Sequence, residues 1–279
     1  MTVINTNIKS LVSQNAIVKN NRDLTNAMQQ LSTGKRINSA SDDAAGLAIS
    51  SRMTSQIKGL DQAIRNGNDA VSMLQTTEGA MIEMTNMLQR MRELAIQSSN
   101  DTYSQTDREY LDIEFQQLIS EINRITTDTQ WNGMNVLDGT AGTNSDGRLE
   151  FQVGANEGQT IVHTIADLSS DGELDMISGT DILDRDNAAN AITQVDDALD
   201  VINSERAGIG AVINRITYAV DNLANVSLNT SASRSRIMDA DYAKASSELA
   251  RSQIVEQAAT AMLAQANQQP QTVMQLLKG

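Results

Sequence analysis

Residues 53–88 read MTSQIKGLDQAIRNGNDAVSMLQTTEGAMIEMTNML, and their apolar positions step by alternating fours and threes. The stripe runs Met53, Ile57, Leu60, Ile64, Gly67, Val71, Leu74, Glu78, Met81, Thr85, Leu88, with Gly67, Glu78 and Thr85 interrupting it in register. A repeat averaging 3.5 residues keeps one stripe of a helix facing a partner while the pair supercoils, so this stretch predicts a coiled-coil helix. The stepping returns from Ile192 through Val195, Leu199, Ile202, Arg206, Ile209, Ile213, Ile216, Val220 and Leu223. Two such helices far apart in the chain predict a strand that goes out and comes back. The fold class is mainly α: an elongated antiparallel helical rod or coiled coil.

Composition agrees. Across 279 residues there are two Phe, one Trp and four Tyr, too few aromatics for an ordinary globular core of this size. A single proline, Pro270, leaves long helices unbroken. The formal charge of −14, with no basic cluster, argues against nucleic acid and against an anionic membrane surface as partners. Without cysteine there is no disulfide, thiolate chemistry or cysteine metal site. The N-terminal MTVINTNIKSLVSQNAIVKN lacks the apolar run of a secretory signal, and no stretch reaches the roughly 18 apolar residues of a membrane span.

Outward from the rod, residues 3–33 carry a first helical pattern (Ile4, Ile8, Leu11, Val18, Leu24, Met28, Leu31) closed by Gly34. Ser39 and Ser41 are candidate caps for the second helix, about 44–99, with Asp42 and Asp43 set where its dipole favours negative charge. After the polar loop NDTYSQT, Leu111, Phe115, Leu118, Ile122 and Ile125 mark a third helix that should fold back as an antiparallel hairpin. Between Trp131 and Gly179 the period changes to two. Leu149, Phe151, Val153 and Ile161, His163, Ile165 alternate with polar residues around GANEG, which reads as a small β-hairpin lying on the rod. A long helix at about 184–235 and a last one at about 240–265 complete the chain. The two ends are polar or Ala-rich with narrow seams, so they are expected to be poorly ordered in a free monomer and to fold on meeting partners.

No catalytic, cofactor-binding or metal site is expected. His163 is the only histidine and reads as a structural strand residue, and the usual zinc spacings are missing. Asp42-Asp43 reads as a helix cap, and the Gly-rich strings read as turns.

Six strings also carry a family resemblance. QLSTGKRINSASDDAAGLAISSRM (30–53) resembles the N-terminal fingerprint of bacterial flagellins, and AMLAQANQQPQTVMQLLKG (261–279) resembles their C-terminus. QRMRELAIQSSN (89–100), WNGMNVLDG (131–139), FQVGAN (151–156) and RIMDADYAKASSELAR (236–251) fall between them in the family's order.

The resemblance implies a minimal flagellin: a secreted structural subunit of the extracellular flagellum, leaving by type III export. It implies core helices at 1–40 and 239–279, rod segments at 41–139 and 186–238, and a β-hairpin and turn segment at 140–185. The apolar residues it assigns to the filament core are Ile4, Ile8, Leu11, Leu31, Leu249, Ile254, Met262, Leu263, Val273, Leu276 and Leu277. The plainer alternative packs these residues within their own subunit. Implied partners are the chain itself, an export chaperone on the C-terminal helix, and hook-associated junction and cap proteins. Toll-like receptor 5 is implied through Gln89, Arg90, Leu94 and Glu114. The rival readings are a hook–filament junction protein and an intracellular coiled-coil scaffold.

Overall fold

The computed structural model describes residues 6–169 and 172–278, with side chains described as far as residue 268. Five helices carry the fold: α1 (Ile8–Thr33), α2 (Ala44–Ser98), α3 (Gln105–Asp128), α4 (Arg185–Met238) and α5 (Tyr242–Lys278). Between α3 and α4 lie β1 (Gln130–Trp131), β2 (Met134–Asn135), β3 (Arg148–Gln152) and β4 (Thr160–Thr164). Among the described residues no helix is long and apolar enough to cross a membrane.

The expected hairpin is β3–β4, antiparallel, with Leu149 opposite His163 and Phe151 opposite Ile161. A second hairpin, β1–β2, turns on Asn132 and Gly133 alone, both at positive φ (50° and 80°). Asn-Gly is the pair that tolerates two successive left-handed residues, so WNG folds the chain back in two residues. The last helix exceeds its expected end at 265 and continues across Pro270. Proline costs a helix about 3 kcal/mol, but the Gln, Met and Leu around it are good helix formers.

The chain divides into two compact units, residues 1–57 with 228–279, and residues 58–227. In the second unit the heptad reading holds and shifts sideways. Leu60, Gly67, Leu74, Met81, Leu88 and Ala95 form one buried column of α2; Ala63, Ala70, Thr77, Met84, Met91 and Ser98 form another. Ile64, Val71 and Glu78 only flank them, half-buried. Helix α4 repeats the arrangement. Ala188, Val195, Ala198, Ile202, Ile209, Val212 and Ile216 are buried, while Ile192, Leu199, Arg206, Ile213 and Val220 flank the seam. The seam turns because α2 meets α4, α3 and the hairpins together: Phe115, Ile122, Leu149 and Ile161 join the same buried cluster. A helix with several neighbours buries a wider stripe than a two-stranded coiled coil. Glu78 and Arg206 are half-buried beside the seam, with Arg206 Nε itself buried.

At Gly67, α2 comes close to the side chains of α4. A Cβ there would stand 2.5 Å from Val220 Cγ2 and 3.5 Å from Ile216 Cγ2. Valine is stiff in a helix, so it cannot swing aside freely. Gly67→Ala is expected to destabilise the unit by about 1 kcal/mol in urea unfolding, overpacking outweighing the better helix propensity of alanine.

Polar links tie the surrounding elements to this core. Arg92 Nε meets Asp196 Oδ1 at 2.6 Å, joining α2 to α4. Arg108 Nε donates to the Ser98 carbonyl at 3.0 Å, satisfying the end of α2 from α3. His163 packs on α4, its Nε2 3.4 Å from Glu205 Oε1.

In the first unit, Gly34 (φ 68°) ends α1 and donates its N–H to the Gln30 carbonyl. The connector that follows is clipped to the one before α5. Arg36 N–H donates to the Met238 carbonyl at 2.7 Å, and Ala240 N–H donates to the Gly34 carbonyl at 2.9 Å. The expected serine caps are replaced. Asp43 caps α2, its Oδ1 accepting the Gly46 N–H at 2.8 Å, and Ser39 and Ser41 bond each other instead. Helix α2 begins at Ala44, which leaves Asp43 as the residue next to its free N–H groups.

Asp42 holds the turn itself. Its Oδ2 accepts the N–H groups of Asn38 (3.0 Å) and Ser39 (2.8 Å). These bonds keep its carboxyl below the usual aspartate range, the Asn38 N–H foremost. Asp107 is lowered likewise, by the hydroxyl and then the N–H of Ser104 in the α3 capping box. A depressed carboxyl adds stability above the ordinary aspartate pKa and loses it as pH falls through its own lower value. Both turns should therefore hold at neutral pH and loosen only below about pH 4. Carboxyl carbon shifts followed by NMR should show both residues titrating below ordinary exposed aspartates; ordinary titration would contradict this.

Candidate functional site

The feature that distinguishes this protein is the pairing of α1 with α5. Two heptad columns of α1 face inward: Ser10, Ile17, Leu24 and Leu31, and Ser13, Asn20 and Ala27, all buried or half-buried. From α5, Ala245, Ser252, Ala259 and Ala266 form one inward column, and Leu249, Glu256 and Leu263 line its edge. Small residues let the backbones approach, and hydrogen bonds then cross between them. Asn7 Nδ2 donates to the Ala266 carbonyl at 2.7 Å, Ser10 Oγ to Asn267 Oδ1 at 2.8 Å, and the buried Asn20 Nδ2 to the Ser252 carbonyl at 2.8 Å.

Other large apolar residues point the other way. Ile8, Leu11, Val12 and Val18 are 50–62% exposed and lie on the α1 face opposite its seam. Met28 is 54% exposed; on α5, Ile254 is 67%, Met262 63% and Val255 43% exposed. Ile8, Val12 and Met262 line a groove of about 360 Å³ together with Lys9, Ser13, Gln265 and Ala266. Helices in water normally do the reverse, hiding apolar groups and showing polar ones.

Of the core residues read from sequence, Ile8, Leu11, Ile254 and Met262 are therefore outward and open, while Leu31, Leu249 and Leu263 are half-buried at the seam. Ile4 lies outside the described residues, as do the side chains of Val273, Leu276 and Leu277. Val12, Val18, Met28 and Val255 belong to the same outward set and were not singled out. For Val255 the signal is the seven-residue spacing of small residues in α5, which fixes the inward side of that helix and so its outward one.

The four receptor candidates separate. Arg90 reaches from α2 to α3, its Nε 2.9 Å from Glu114 Oε1, while its Nη1 meets Glu93 Oε2 at 2.9 Å. Those bonds, with Glu114 foremost, push the guanidinium pKa upward. Gln89, Arg90 and Glu114 are exposed. Leu94 is not: it is fully buried in the cluster that holds Phe115. Sharing a helical face with Arg90 does not expose it, because α3 covers that flank of α2. Leu94 is thus a core residue and not a contact surface while the helices stay folded.

A helix pair held by small and polar groups in its seam, with a set of large apolar residues left open outside, suits a subunit that self-assembles. The comparisons with known proteins specify the kind. Residues 4–142 match the bacterial flagellin N-terminal helical region, and residues 192–277 match the bacterial flagellin C-terminal helical region. The chain is 45% identical over 276 residues to a flagellin of Halalkalibacterium halodurans, covering 99% of this chain and 100% of that one. It is 41% identical over 302 residues to the flagellin of Bacillus subtilis, covering 99% of each. Among solved structures, Bacillus cereus flagellin shares 36% identity and a TM-score of 0.49, over 57% of this chain and 88% of that one. The chain belongs to the bacterial flagellin family. It is a minimal member and a structural subunit of the extracellular flagellar filament. The stretch between the two matched regions, 143–191, holds the β3–β4 hairpin.

Proposed function

We propose that the filament grows by closing the outward apolar faces of α1 and α5 against the same helices of neighbouring subunits. The observation carrying this reading is the set of large apolar residues left open on the pair: Ile8, Leu11, Val12, Ile254 and Met262 lie outside, while the seam mixes Ala and Leu with Ser10, Asn20 and Ser252. Contacts of this kind run head to tail and, where they do not close into a ring, propagate a helix. Residues 1–40 and 239–279 then form the filament core, 41–139 and 186–238 the rod, and 140–185 an outer hairpin. The terminal helices gain order as they pack, because their internal seam alone buries little apolar surface. Seeded assembly of purified monomer, followed by electron microscopy and circular dichroism, tests this: long filaments with added helix are expected. Small closed oligomers without added helix would contradict it.

Finer partners follow from the resemblance. The C-terminal helix is the seat of an export chaperone, and junction and cap proteins take the filament ends. Gln89, Arg90 and Glu114 form the surface offered to Toll-like receptor 5, supported by their exposure and by the link that brings Arg90 and Glu114 together across α2 and α3. Arg90→Ala should lower receptor reporter activation roughly 30-fold, the scale of an arginine hot spot. An unchanged response would remove the receptor from the account.

A further inference from the structure

The chain has thirteen methionines, and the fold treats them unequally. Met73, Met81, Met84 and Met91 are buried in the helical core. Met53, Met87, Met134, Met176 and Met238 are half-buried. Among the described side chains only Met28 and Met262 stand more than half exposed, at 54% and 63%, and both lie on the α1–α5 pair. Met262 also lines the apolar groove with Ile8 and Val12.

We propose that Met28 and Met262 are oxidation sites through which hydrogen peroxide disables the free subunit for assembly. The inference rests on the assembly reading above. The sulfur lone pair attacks one peroxide oxygen, the O–O bond breaks, and water leaves as the second product. The thioether is oxidised to a sulfoxide and the peroxide is reduced. Oxidation follows access, so these two thioethers react before the core ones. The product is polar and needs hydrogen bonds. At Met262 it would sit among Ile8 and Val12, on the face that must exclude water when a neighbour docks. Incorporated subunits would have both sulfurs covered, so the sensitivity belongs to the chain before assembly. Sulfoxide reduction by methionine sulfoxide reductases makes the change reversible.

The test treats full-length monomer with hydrogen peroxide, maps sulfoxides by peptide mass spectrometry, and measures elongation on filament seeds. Met28 and Met262 should oxidise ahead of Met73, Met81, Met84 and Met91, with elongation about tenfold or more slower. Methionine sulfoxide reductases should restore it. Met28→Leu with Met262→Leu, compared with its own untreated rate, should lose the peroxide sensitivity. Oxidised chains that elongate like untreated ones would overturn the proposal, as would a double variant that remains peroxide-sensitive. Failure of untreated native monomer to elongate would instead count against the assembly reading, while the order of oxidation still tests the sites.

Discussion

Val12→Asp combined with Met262→Asp abolishes filament formation while residues 58–227 keep their helix and stability. Both side chains are open in the monomer, at 62% and 63% exposure, so the free chain tolerates the charge. In the proposed assembly each carboxylate would be carried into an apolar groove beside Ile8 and Ala266. Lys9 at its edge is one cation against two new carboxylates per subunit. An unpaired charge taken out of water costs several kcal/mol, and each 1.4 kcal/mol is a factor of ten in association. Repeated at every contact, the penalty leaves no growing filament. Seeded elongation scored by microscopy measures the loss, and circular dichroism establishes that the monomer is intact. Normal filaments from this variant would mean that the outward face of α1 and α5 is not the contact.

The second large effect is on stability. Phe115→Ala should cost about 3–5 kcal/mol, the range for removing a buried aromatic ring. Phe115 is fully buried and is one of only two phenylalanines in the chain, packed where α3 joins the Met- and Leu-rich core of α2. Such a loss is a large share of the 5–15 kcal/mol that holds a typical domain together. Tyr110→Ala, on the exposed side of the same helix at 67% exposure, should change stability by no more than about 0.5 kcal/mol. Urea unfolding of the two variants separates core packing from surface effects. Equal losses would show that the register of α3 has been misassigned.

Helices, hairpin and family were legible in the sequence because each rests on local pattern. The alternation of Leu149, Phe151 and Ile161 specifies strands within a few residues, and the 3.5-residue stepping specifies long helices. Which side of a helix meets which neighbour is a tertiary property. Leu60 and Leu74 mark one buried column of α2, but the second column includes Ala63, Ala70, Thr77 and Ser98, which no apolar count would select. In α1 the apolar pattern includes Ile8, Leu11, Val18, Leu24, Met28 and Leu31, yet the fold packs Leu24 and Leu31 with Ser10, Ser13 and Asn20 and turns the other four outward. Leu94 is buried for the same reason: periodicity finds a face, and only the position of α3 shows that the face is covered. The pairing of residues 34–36 with 238–240 lies beyond any local reading, although both strings were recognisable as motifs.

In the proposed assembly the apolar faces of α1 and α5 are open in the monomer and closed in the filament. Because the chain has no cysteine, single variants Leu11→Cys and Ile254→Cys each introduce a unique reporter on that face, with Ser10→Cys as the seam control. Thiol labelling rates are then compared before and after assembly. The outward cysteines should react quickly in monomer and become strongly protected in filaments, where the seam cysteine should also be slow. Equal labelling of Leu11→Cys and Ile254→Cys in monomer and filament would place the subunit contact elsewhere.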